Sequence, residues 1–127
     1  MTEAMEDSST DPTILVVDDE ESVRLLLSKI LKHAGYSVLE ADDGNRGVEI
    51  FRQNPDLIDL VLLDLTMPGM SGYDMLAEIQ IVDPDVRVIV ITGYHPEEER
   101  LVGVLEILRK PIQFNVVCEA IERALEN

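Results

Sequence analysis

Five short apolar runs, at 13–17 (TILVV), 37–41 (SVLEA), 59–63 (DLVLL), 86–91 (VRVIVI) and 104–108 (VLEIL), alternate along this chain with stretches of helical periodicity. No other feature constrains the fold as much. Three of the runs are almost wholly apolar, as strands covered on both faces must be. In 20–34, Val23, Leu26, Leu27, Ile30, Leu31 and Ala34 recur at the spacing of one buried helix face, and Gly35 then ends the helix. A second helix is predicted over 43–53, stopped by Asn54-Pro55. A third spans 71–82, with Ser71 as N-cap and Asp74 three places on. The last, 112–126, turns Val117, Ala120, Ile121 and Ala124 inward, and a short helix is placed over 96–102. Repeated strand–helix alternation predicts an α/β fold, a parallel sheet with helices on both faces.

Sheets of this kind bind ligands beyond the carboxyl ends of their strands. There the sequence puts a cluster of acids: the buried run "ILVV" drives directly into "DDEE". Asp18 and Asp19 follow the first strand, Asp64 the third, Thr92 the fourth, and Lys110 with Pro111 the fifth. Carboxylates brought together are stable only if some protonate or a cation joins them. Oxygen ligands suit a hard ion, Mg2+ or the similar Mn2+, which favours one or two carboxylates plus phosphate oxygens. Lys110 adds a fixed positive charge and Thr92 a hydrogen-bond donor, so the set fits a phosphoryl group. Asp64 is then the acceptor, since an aspartate carboxylate can act as a nucleophile and form an acyl phosphate.

Charge narrows the partners. Against 10 Lys and Arg stand 26 Asp and Glu, a formal net charge of −16. Such a surface repels nucleic acid and anionic lipid, so neither direct nucleic-acid binding nor a membrane partner is expected. A single cysteine, Cys118, excludes an internal disulfide and fits a reducing compartment. No apolar run approaches the roughly 18 residues of a membrane span, and the N-terminus lacks a signal peptide's hydrophobic segment. The expectation is a cytoplasmic chain with a disordered acidic leader over 1–12 and one domain over 13–127. His33 and His95 read as surface residues, and Cys118 as half-buried in the last helix.

At "ILVVDDEES", "LVLLDLTMPGMSG", "VIVITGY" and "RKP" the chain resembles the receiver domains of two-component response regulators, over about 13–126. The resemblance implies a flavodoxin-like, five-stranded parallel sheet in the order 2-1-3-4-5. It implies that Asp18 and Asp19 bind the metal, with Asp19 the more direct ligand, and that Asp64 is the phosphoacceptor and joins them at the metal. Thr66 falls where a backbone carbonyl reaches the metal, and Thr92, Gly93 and Lys110 where the family binds the phosphoryl group. Lys110–Pro111 falls on the family's cis peptide. Thr66 and Tyr94 stand where receivers flank the path of hydrolytic water, so bulky Tyr94 implies slow self-dephosphorylation. The implied donor is the phosphohistidine of a sensor histidine kinase or a histidine phosphotransfer protein. The domain itself catalyses only its own phosphorylation and dephosphorylation, and the output partner is unknown.

Two departures stand out. The family's switch aromatic, three residues before the lysine, is replaced by Ile107. The segment from Thr92 to Gly103 is also about four residues short, close to one turn of the fourth of five helices. Signalling through dimerisation on that face is therefore not expected. A flavin carrier would need a phosphate-cradling loop where this chain has acids, and an aspartyl-phosphate hydrolase a second acid where it has Thr66. The remaining alternative is a degenerate receiver, a phosphorylation-independent interaction module, which usually lacks the acceptor or the lysine; both are present.

Overall fold

A computed structural model describes residues 11–67 and 69–126; all but the end of the leader expected over 1–12 lies outside the described residues. Each apolar run forms a strand: β1 (Thr13–Val17), β2 (Ser37–Ala41), β3 (Leu60–Asp64), β4 (Val88–Thr92) and β5 (Glu106–Arg109). All neighbours pair in parallel, in the order β2-β1-β3-β4-β5. This is the flavodoxin-like architecture expected. The helices are α1 (Glu21–His33), α2 (Gly44–Gln53), α3 (Gly72–Val82) and α4 (Phe114–Glu126).

The three nearly continuous apolar runs are the central strands β1, β3 and β4, buried along their whole length. Alternate side chains serve opposite faces, as the two-residue period of a strand requires. Leu15, Val17, Val61, Leu63, Val88 and Val90 pack in one core with residues of α2 and α3. Ile14, Val16, Leu60, Leu62, Ile89 and Ile91 join α1 and α4 in the other. The inward residues expected of α4, Val117, Ala120, Ile121 and Ala124, are all buried there. Each aliphatic side chain so covered contributes about 1.5–3 kcal/mol of transfer free energy.

Local signals set the element ends. Gly35 has φ 104°, a left-handed conformation open to glycine, and the Tyr36 amide bonds back to the Leu31 carbonyl at 3.0 Å to close α1. The Ser71 hydroxyl accepts from the Asp74 amide at 3.2 Å, the expected N-cap of α3. Asp43 caps α2 in the same way through the Arg46 amide at 2.7 Å.

Three expectations need correction. Strands β3, β4 and β5 and helix α4 begin one or two residues later than their apolar patterns. Hydrophobicity marks burial rather than pairing: Val86 is buried below β4 yet lies outside its ladder. In α1 only Leu27 and Leu31 of the apolar stripe are buried, while Leu26 is 45% exposed and Ala34 is exposed, because the stripe is wider than the face the sheet covers. Between β4 and β5, the helix expected over 96–102 is reduced to one 3-10 turn, Glu98–Arg100. Its only apolar residues, Leu101 and Val102, are adjacent and cannot form a helical stripe, and Gly103 breaks the chain with φ 89°. Among the described residues no helix is long and apolar enough to cross a membrane.

Candidate functional site

The C-terminal edge of the central strands gathers the acids. The Asp18 amide donates to the Ala41 carbonyl at 3.1 Å, extending the β1–β2 ladder by one residue. The chain then turns sharply, with Asp18 Oδ1 accepting from the Glu20 amide at 2.9 Å. Arg24 clamps this turn: its Nη1 donates to the Asp18 carbonyl at 2.9 Å and its Nε pairs with Glu40 at 3.1 Å. One strand over, Asp64 is the last residue of β3, its Oδ1 accepting from the Thr66 amide at 2.9 Å. Lys110 Nζ meets Asp64 Oδ2 at 3.1 Å and lies 3.8 Å from Glu20. The Lys110 amide donates to the Thr92 carbonyl at 2.9 Å, which places the lysine across β4 from the acids.

Asp18, Asp19 and Asp64 each offer a carboxylate oxygen, and these oxygens lie within 4.8 Å of one another. Asp18 and Asp64 are buried, at 2% and 1% exposure, while Asp19 is open to solvent. Burial, opposed by the Glu20 amide and reinforced by Asp64, lifts the Asp18 carboxyl to about 6. Burial also raises Asp64 above the usual carboxylate range, although the Thr66 amide and Lys110 pull it down. Lys110 shows the complementary effect. Burial opposes its charge, yet Asp64, Asp18 and Glu20 together hold its ammonium above its ordinary value. One lysine therefore does not balance this set of acids. Asp18 Oδ2 is buried without a hydrogen-bond partner among the described residues. An orphan acceptor beside two further carboxylate oxygens is the donor set of a hard divalent cation, so these residues fit a metal.

The other expected residues cluster around this core. Thr92 ends β4, fully buried, but its hydroxyl is engaged in its own turn, with the Tyr94 amide and carbonyl each at 3.2 Å. Gly93 borders the lysine: a Cβ there would sit 3.7 Å from Lys110 Cδ, in ordinary contact. The Lys110–Pro111 peptide is cis. Thr66 is exposed at the mouth, and Tyr94 is 40% exposed. Its phenol is raised chiefly by burial and by the Tyr73 hydroxyl, with the Thr66 hydroxyl acting the other way. Ile107 packs, partly buried, on the core shared with α2 and α3. Sequence reasoning missed Arg24 and Tyr73. A polar position within α1 and an aromatic in the first turn of α3 carry no signal in the linear pattern; only the folded packing shows their partners.

The sequence pattern of the response regulator receiver domain matches residues 14–122. The chain is 32% identical over 117 residues to sporulation initiation phosphotransferase F of Bacillus subtilis, covering 88% of this chain and 92% of that one. A response regulator receiver domain protein from Clostridium thermocellum has a solved structure that superposes with a TM-score of 0.84 at 34% identity, covering 91% of this chain and 94% of that one. The response regulator protein TrrA of Thermotoga maritima, solved in complex with Mg2+-BeF, gives 0.82 at 32% identity, covering 90% and 99%. Some curated relatives are much longer: the chain spans 26% of one and 31% of another.

Proposed function

We propose, from the premise that this chain belongs to the response regulator receiver domain family, that it accepts a phosphoryl group on Asp64 and signals through the resulting change of shape. One observation carries the reading. Asp64 is 1% exposed at the end of β3, paired with Lys110, and stands beside Asp18, whose Oδ2 has no hydrogen-bond partner among the described residues. A structural salt bridge alone would not need two further acids within reach; a charged ligand bound through a cation does.

In this mechanism a carboxylate oxygen of Asp64 attacks the phosphorus of a phosphohistidine. The phosphorus–nitrogen bond breaks and the imidazole leaves with the electron pair. Lys110 shifts from the carboxylate toward a phosphoryl oxygen, and its raised proton affinity keeps it charged through the transfer. Thr92 leaves its turn with Tyr94 and donates to a second oxygen. Asp18, Asp19, Asp64 and the Thr66 carbonyl would hold Mg2+ or Mn2+, which would supply the positive charge that offsets the incoming phosphoryl oxygens. Gly93 leaves the approach open. The partner is a sensor histidine kinase or a histidine phosphotransfer protein. A groove of about 370 Å3 beside Lys110, between α1 and the start of α4, supports docking of such a partner next to the acceptor. The interaction-module alternative is disfavoured, because all the reactive positions are present.

Mass spectrometry after incubation with a small phosphodonor tests this. With Mg2+ the chain should gain one phosphoryl group, and Asp64→Asn should gain none. Asp19→Asn should lower metal affinity. A phosphoryl group on Ser, Thr or His, or full labelling in excess chelator, would overturn the assignment.

A further inference from the structure

Between β4 and β5 the expected helix is reduced to one 3-10 turn, yet this connection is not loose. It is fastened to the first turn of α3 by Tyr73. The Tyr73 hydroxyl accepts from the Glu97 amide at 2.8 Å, across 24 residues of sequence. The Arg100 guanidinium stacks on the Tyr73 ring, 4.4 Å from its centroid. Arg100 also reaches Asp74 at 3.4 Å and Glu97 at 3.8 Å. Closer to the site, Tyr94 opens the same segment, three residues before Glu97. Segment 94–100 is thus held by its backbone at 97 and its guanidinium at 100.

Tyr73 itself is fixed relative to the acceptor. It is buried, and the preceding Gly72 packs flush on Asp64: a Cβ at Gly72 would fall 2.7 Å from Leu65 Cα and 2.9 Å from the Asp64 carbonyl oxygen. A packed path therefore runs from the Asp64 backbone through Gly72 to the Tyr73 hydroxyl, and from there to the Glu97 amide, three residues beyond Tyr94. Thr92 lies on the same segment, with its hydroxyl bonded to the Tyr94 backbone.

We propose that Tyr73 is a positioning residue of the Asp64 site, latching the β4–β5 connection so that the Tyr94 ring stands over the mouth and keeps water from the phosphorylated aspartate. This rests on the phosphoacceptor reading above. The reaction it restrains is hydrolysis. Water adds to phosphorus as the bond between phosphorus and the Asp64 oxygen breaks, leaving the aspartate carboxylate and inorganic phosphate, which retains the oxygen and protons of the water. With the latch in place Tyr94 occludes the in-line approach; with it open the ring swings out.

Tyr73→Phe keeps the ring and its contact with Arg100 and removes only the hydroxyl. On protein labelled with a small phosphodonor and Mg2+, this variant should shorten the acyl-phosphate lifetime about fivefold, the size of one hydrogen bond. Tyr94→Ala should shorten it at least as much, and adding Tyr73→Phe to Tyr94→Ala should change nothing further. Amide exchange at Glu97 should quicken in Tyr73→Phe while the amides of α3 keep their protection. A parent that takes up no phosphoryl group overturns the phosphoacceptor reading and this role with it. A labelled parent whose lifetime is unmoved by Tyr73→Phe overturns the positioning role alone. So does a Tyr73→Phe effect that persists in the Tyr94→Ala background, or one accompanied by loss of α3 protection, since either outcome makes Tyr73 merely structural.

Discussion

Asp18 shows how one side chain can carry a conflict on behalf of a site. Its carboxyl is lifted to about 6 by burial, from a usual value of 3.8. A carboxyl with a raised folded pKa stabilises the fold below its unfolded pKa, and that contribution is lost as pH rises through the folded value. Without metal, stability should therefore fall from pH 4 to above pH 6, by about 2–3 kcal/mol from this group, and Asp64 pushes in the same direction. Asp18→Asn removes the charge while keeping the oxygen that accepts from Glu20. Urea denaturation without metal should show the variant more stable than the parent at pH 8 and nearly equal at pH 4. A divalent ion bound by these carboxylates would compete with the same proton, so calorimetric titration should show affinity declining as pH drops through about 6. A pH-independent affinity would mean that Asp18 is not part of the metal site.

Strand ends and helix starts matter in this fold because they bring the clustered acids and Lys110 together, and the glycines between them are not equivalent. At Gly72, opening α3, an added Cβ would collide with main-chain atoms of Leu65 and Asp64, which cannot swing aside. Gly72→Ala should destabilise the fold by about 1–3 kcal/mol, as overpacking does, and displace Asp64 with it. At Gly93, after β4, the same methyl would meet only the flexible Lys110 side chain at 3.7 Å. Gly93→Ala should change stability by less than about 0.5 kcal/mol. Chemical denaturation of both variants checks the contrast, and equal losses would show that the Gly72 contact relaxes freely.

Across the whole molecule, the altered region lies on one side. The connection between β4 and β5 has a single 3-10 turn, Ile107 is only partly buried against the core, and Val102 is 75% exposed. With no α-helix between β4 and β5 among the described residues, this face lacks a helical surface on which a partner copy could pack. Sedimentation with Mg2+ and beryllofluoride, a tetrahedral phosphoryl mimic, should therefore show no mimic-dependent dimer. A dimer that forms with the mimic and is abolished by Arg109→Glu on β5 would show that this face still assembles, and that Ile107 fills its pocket without loss.

Strand number, parallel pairing and the two buried cores follow from the sequence, because apolar runs that end in polar turns can be buried in few other ways. The acids at the strand ends were legible for the same reason: a parallel sheet carries its strand termini to one edge, so Asp18, Asp64 and Lys110 had to approach one another. What the linear pattern could not supply were contacts between residues far apart in the chain. That Asp18 Oδ2 is left without a partner among the described residues, that Arg24 clamps the β1 turn and that Thr92 turns its hydroxyl to Tyr94 all depend on distances and angles set by packing. The connection after β4 lay between the two cases. Its shortness could be counted in the sequence, but the collapse of its helix and its attachment to α3 through Tyr73 were decided by tertiary structure, because a segment without an amphipathic face takes its conformation from the surface it lands on.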